Sequence, residues 1–161
     1  MRVVAIVGHK GSGKTTLIER LIGSARERGL TVSTVKHAHH HEIELDTPGK
    51  DSFRHRQAGA SEVIVASDRG WARIAASPHP VGLPVLLGEL RPVDLVIVEG
   101  YKQLESLCRV EVFRGDGTPL AMTDPTIAAV ASPAGLPLAG FGGVRLPLDD
   151  SSAVLDFMLS A

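Results

Sequence analysis

The chain has 161 residues, 43% of them hydrophobic, with a formal net charge of −1. That is long enough for one well-buried core and too short for two ordinary domains, so residues 1–161 are expected to form a single domain. The near-neutral balance excludes a bulk polyanion binder, nucleic acid included, and any affinity for phosphate has to come from a local site.

The opening segment Arg2 to Val7 is apolar and β-branched, as a strand buried on both faces of a parallel sheet is. It ends at Gly8 in a glycine-rich turn. Leu17, Ile18, Leu21, Ile22 and Ala25 then recur at helical spacing, which predicts a helix over Thr15 to Arg28 stopped by Gly29. Thr31 to Lys36 reads as a second strand, and the strand-helix-strand order favours an α/β fold with a right-handed crossover. Asp51 to Gln57 is a helix with Asp51 or Ser52 as its cap. Glu62 to Ala66 and Trp71 to Ala75 flank a turn-rich spacer and predict a hairpin on the sheet edge. A short helix over Leu83 to Leu90 and strands at Asp94 to Val98, Arg109 to Phe113 and Ile127 to Ala131 follow. Asp150 or Ser151 caps a last helix with Val154, Leu155, Met158 and Leu159 on one face. The fold class is therefore α/β of the P-loop NTPase type: a mostly parallel sheet flanked by helices, with an edge hairpin.

The decisive motif is Gly8, His9, Lys10, Gly11, Ser12, Gly13, Lys14 and Thr15, with Thr16 behind it. Its glycines allow a tight loop whose N–H groups face phosphate oxygens, and the helix that follows adds its positive end. Lys14 is placed to reach the terminal phosphates, and the Thr15 hydroxyl to coordinate Mg²⁺. Glu99 closes an apolar strand beside this loop and is the carboxylate expected to order the metal or the attacking water. Asp46 is the competing metal-side carboxylate, in a loop where a switch segment would respond to the terminal phosphate.

Lys36, His37, His39, His40 and His41 stand at the expected C-terminal edge of the second strand, where ligands of an open α/β sheet collect. Protonated imidazoles with Lys36 suit phosphate or an anionic pterin, neutral ones a transition metal, and a plain solvated loop is the bland alternative. Asp51 and Ser52 have a structural use as caps; Lys50 has none and is counted with the ligand site. Trp71 reads as a packing residue before a base platform, and Cys108, with no activating neighbour, as structural. The lone cysteine and the absence of leader organisation make the cytoplasm the expected compartment. No apolar run reaches the roughly 18 residues that span a bilayer, so no membrane association is expected.

These blocks together resemble the MobB family of molybdopterin-guanine dinucleotide biosynthesis adaptor proteins. The P-loop is shared by many enzymes; its combination with Lys36 to His41, Asp46 to Ser52, and Val96 to Lys102 carries the resemblance. The resemblance implies a homodimer that binds GTP with Mg²⁺, hydrolyses it weakly, takes molybdopterin as a further ligand, and assists a MobA-type guanylyltransferase. No Asn-Lys-x-Asp element is present to read guanine, and the backbone around Val130, Ala131 and Ser132 is the candidate for contacting its O6. The chain shows no glutamine or arginine finger that the sequence alone places at the phosphates, so binding should outstrip catalysis. The competing readings are a small-molecule kinase, which needs an acceptor site and lid, and a nucleotide-dependent metallochaperone, which needs tight metal binding by the histidines.

Overall fold

The structure, a computed structural model, describes residues 1–38, 47–101 and 106–161. The polypeptide divides into two compact units, Met1–His37 with Gly88–Ala161, and Ala38–Leu87.

The first unit is built on a six-stranded sheet. In chain order its strands are β1 (Arg2–Val7), β2 (Val32–Lys36), β5 (Leu95–Glu99), β6 (Cys108–Val112), β7 (Ile127–Ser132) and β8 (Val144–Pro147), in the spatial order β2-β5-β1-β6-β7-β8. Every neighbouring pair is parallel. Parallel strands covered on both faces cannot alternate polar with apolar, which is why β1 and β5 are apolar through four consecutive buried residues each. Helix α1 (Lys14–Glu27) and helix α4 (Ser151–Ser160) lie on one face. There Leu17, Leu21, Leu155 and Met158 close over Val4, Ile6, Ile97 and Val110. The other face carries a smaller cluster of Phe113, Val130 and Leu138.

Local chemistry fixes the element ends. The Asp150 carboxylate accepts a 3.0 Å hydrogen bond from the Ala153 N–H and caps α4, the first of the two residues expected there. Helix α1 starts at Lys14, one residue before the expected Thr15, because Gly13 at φ 93° makes the last turn of the loop and no side-chain cap is needed. At the N-terminal edge Asp94 accepts from both the N–H and the hydroxyl of Thr31, at 2.8 and 2.6 Å, and so staples the start of β5 to β2. Two elements of this unit were not anticipated, β8 and a 3₁₀ turn at Leu120–Met122. The turn exists because the buried Glu111 carboxylate on β6 accepts from the Leu120 and Ala121 N–H groups at 2.7 and 2.9 Å.

The second unit holds α2 (Asp51–Gln57), β3 (Glu62–Ser67), β4 (Gly70–Ala75) and most of α3 (Leu83–Gly88), which is two residues shorter than expected. Strands β3 and β4 form the expected antiparallel hairpin but make a two-stranded sheet of their own, rather than an edge of the larger sheet. With no third strand and little covering the pair, Ile64 and Trp71 are 60% and 61% exposed, so Trp71 does not have the packing role expected of it. The cap of α2 is Lys50, not Asp51 or Ser52, and the Lys50 side chain makes no capping hydrogen bond; Asp51 is the first helical residue and pairs with Arg54 at 3.8 Å. Among the described residues no helix is long and apolar enough to cross a membrane.

Candidate functional site

Beyond the end of β1 the chain runs through Gly8 to Gly13 and enters α1 at Lys14. Gly8 sits at φ 143° against β6: a Cβ there would lie 2.5 Å from the Val112 carbonyl oxygen, so a side chain would push the loop off the sheet. Ser12 N–H closes the turn on the His9 carbonyl at 3.3 Å. The Lys14 ammonium folds back over the loop and donates to the Gly8 and His9 carbonyls at 3.2 and 2.7 Å, which parks its charge above the loop's concave side. The Ser12 hydroxyl is buried without a hydrogen-bond partner among the described residues.

The register of the sheet brings a carboxylate to this loop. Glu99 is the last residue of β5, opposite Ile6 on β1 and Lys36 on β2. The Thr15 hydroxyl donates to its carboxylate, with oxygens at 3.2 and 3.4 Å, and the Lys36 ammonium stands 3.6 Å away. Two hard oxygen donors, a hydroxyl and a carboxylate, thus converge next to the phosphate loop. This donor set fits Mg²⁺, which takes one or two protein oxygens and completes its shell with water and phosphate. Among the described residues no group of three His, Cys, Asp or Glu side chains could cage a metal by itself.

The strand ends around Glu99 are also tied together. His37 N–H donates to the Glu99 carbonyl at 2.9 Å, Gly100 N–H to the Ile6 carbonyl at 3.2 Å, and the His37 and Tyr101 rings meet at 4.7 Å. Tyr101 alone among the described non-glycine residues has a positive φ, 53°. Burial pushes its phenol above the usual tyrosine range.

A matching family model, molybdopterin guanine dinucleotide synthesis protein B, covers residues 3–133. The chain belongs to the MobB family. A molybdopterin-guanine dinucleotide biosynthesis adapter protein from Haemophilus influenzae is 42% identical over 133 residues, 81% of this chain and 74% of its own. The adapter protein of the same name from Escherichia coli is 34% identical, over 98% of this chain and 91% of its own. The crystal structure of Bacillus subtilis MobB superimposes with a TM-score of 0.77 at 26% identity, covering 99% of this chain and 97% of that one.

Of the residues expected at the family's site, the fold gathers Gly8 to Thr15, Thr16, Lys36, His37 and Glu99 at the C-terminal edge of β1, β2 and β5. Ser132 ends β7 at the same edge, two strands from β1, is buried, and uses its carbonyl to bind Leu148 N–H. Lys50 lies in the second unit, at the start of α2. His39, His40, His41 and Asp46 lie outside the described residues. Cys108 opens β6 half-buried, and burial raises its thiol pKa, in keeping with the inert role expected of it. Asp94 is at the opposite end of β5 from Glu99, away from the ligand edge.

Sequence reasoning missed Arg114. Its Nε donates to the Ser12 carbonyl at 3.1 Å, from the loop that follows β6. A signal was available: Arg114 is the first residue past the expected strand Arg109 to Phe113, the same C-terminal position that singled out Lys36 and Glu99.

Proposed function

We propose that this chain binds GTP with Mg²⁺ and serves, as its relatives' names state for them, as an adapter in the biosynthesis of molybdopterin guanine dinucleotide. The observation that carries the reading is the contact of Thr15 with Glu99 at the mouth of a P-loop whose lysine is already held over the loop. Gly8 to Thr16 wrap the phosphate chain with backbone N–H groups, and Lys14 exchanges the Gly8 and His9 carbonyls for phosphate oxygens. Thr15 and Glu99 would hold Mg²⁺, which supplies charge neutralisation between the terminal phosphates. Lys36, 3.6 Å from the Glu99 carboxylate, helps to orient it toward the loop, and Ser132 with its neighbours on β7 is the edge assigned to the guanine.

Molybdopterin is the second ligand of this reading, with Lys36, His37, His39 and His40 as its candidate contacts. A MobA-type guanylyltransferase is the partner, the cytoplasm the compartment and a homodimer the working form. The exposed Ile64, Val65 and Trp71 supply apolar surface that such a dimer would cover.

Calorimetric titration with GTP and with ATP, each with and without Mg²⁺, tests the nucleotide reading. The expected result is Mg²⁺-dependent binding with GTP preferred, and a Glu99→Gln variant that binds GTP with little response to Mg²⁺. Equal Mg²⁺ dependence in the wild type and the variant would remove Glu99 from the site.

A further inference from the structure

The loop after β6 reaches the phosphate loop at two points. From one side Arg114 donates its Nε to the Ser12 carbonyl. From the other, the His9 ring Nε2 lies 3.0 Å from the Thr118 carbonyl, which can only accept, so that nitrogen carries the proton. The guanidinium lies against the bare face of Gly13: a Cβ built there would meet Nε at 2.9 Å and Nη2 at 3.2 Å. Gly13 is thus required twice, once for its φ of 93° and once to admit the arginine.

The root of this loop is rigid. Glu111 is fully buried with both carboxylate oxygens accepting backbone N–H groups, and Arg109, 1% exposed, pairs with Asp124 at 2.9 Å. Glycines at φ 101° and 78°, Gly115 and Gly117, make the bend between the two anchor points.

This placement gathers positive charge at the phosphate loop. The N-terminus of α1 already carries the positive end of the helix dipole, and Lys14 adds a full charge. Among the described residues Arg114 makes its hydrogen bond to a carbonyl and no ion pair, so it brings a further positive charge to the same end of the helix. A polyphosphate is the ligand whose charge complements these cations, and the guanidinium fork matches it.

We propose that Arg114 is an arginine supplied in cis to the nucleotide site: it braces the phosphate loop at Ser12 and sets its charge, with that of Lys14, against the nucleotide's phosphates. The inference rests on the nucleotide reading above and adds a residue to it. Arg114 is exposed at the surface, so its substitution leaves the core intact.

The test is calorimetric titration of the full chain with Mg²⁺-GTP at several salt concentrations, comparing wild type with Arg114→Gln, Arg114→Lys and Lys14→Ala. Arg114→Gln keeps an N–H for Ser12 and loses the charge; it is expected to bind about 10-fold or more weakly at low salt, with a flatter salt dependence. Arg114→Lys should restore most of both. Wild-type affinity and salt dependence in Arg114→Gln, alongside loss of binding in Lys14→Ala, would overturn the assignment of Arg114 and leave the nucleotide reading standing. Equal weakening in both Arg114 variants with the wild-type salt dependence would reduce Arg114 to a brace and overturn the charge role. A wild type that binds no nucleotide would bring down both proposals together.

Discussion

Lys14 shows how one side chain can be poised without being locked. Its ammonium is held by two carbonyls of its own loop, bonds to neutral acceptors that phosphate oxygens outcompete. Lys14→Ala removes the cation while leaving the loop's glycines and the core untouched, and hydrogen bonds to charged groups contribute about 1.5–3 kcal/mol each. GTP affinity is therefore expected to fall by about 100-fold, with the melting temperature nearly unchanged; calorimetry beside a thermal melt reads both. Asp94 illustrates the opposite case, a carboxylate spent on structure. The Thr31 hydroxyl, and then the Thr31 N–H, hold its pKa below the usual aspartate value. A carboxylate whose pKa is lowered by folding adds stability above its unfolded value, about 3.9, and loses it as pH falls through the folded one. Asp94→Asn should accordingly melt below the wild type at pH 7, with the gap closing as the pH is taken down past about 4. A gap of constant size in melts across that range would show that ionisation of Asp94 contributes nothing.

At the scale of elements, α1 and α4 close one face of the sheet through fully buried leucines. Leu155 is 0% exposed within the cluster that contains Leu17, Leu21, Ile6 and Val110. Truncating such a residue leaves a cavity that neighbours on a rigid sheet fill poorly, so Leu155→Ala is expected to cost about 2–5 kcal/mol. Denaturant unfolding measures this, and a cost under about 1 kcal/mol would mean that α4 repacks freely. The same packing explains what could be read in the sequence. Strands buried on both faces announce themselves as apolar runs, which is why β1, β5 and β7 were expected within a residue or two of their ends. Strand β8, Val144–Pro147, is a four-residue edge strand with no buried residue, and carries no such run. The β3-β4 hairpin was legible as a hairpin because its turn is local. Its partner sheet was not, because nothing in Glu62 to Ala75 encodes which strand lies beside it. For the candidate site the division is similar: the P-loop is one contiguous segment, and Glu99 is marked by the strand it ends. Arg114 lies 102 residues from the Ser12 carbonyl it binds, and only the β1-β6 register brings the two together.

On the nucleotide reading proposed above, the expectation for the whole molecule is that binding outstrips turnover. Around the phosphate loop stand the cations Lys14, Lys36 and Arg114 and the carboxylate Glu99, while among the described residues no glutamine bonds to the loop to orient an attacking water. An arginine in the same chain does not by itself make a fast enzyme: nucleotide switches that carry one still turn over at about 10⁻² per second, against about 1 to 100 per second for kinases. Arg114, hydrogen-bonded to Ser12, is also engaged in bracing the loop. The purified protein is therefore expected to hydrolyse GTP at or below about 10⁻² per second, and to exert its main effect when a guanylyltransferase and molybdopterin are supplied. Steady-state phosphate release, followed by guanylation assays with and without this protein at limiting GTP, measures both quantities. Turnover in the kinase range without a partner would make this chain an enzyme in its own right. Guanylation that proceeds identically with and without it would separate nucleotide binding from the adapter role.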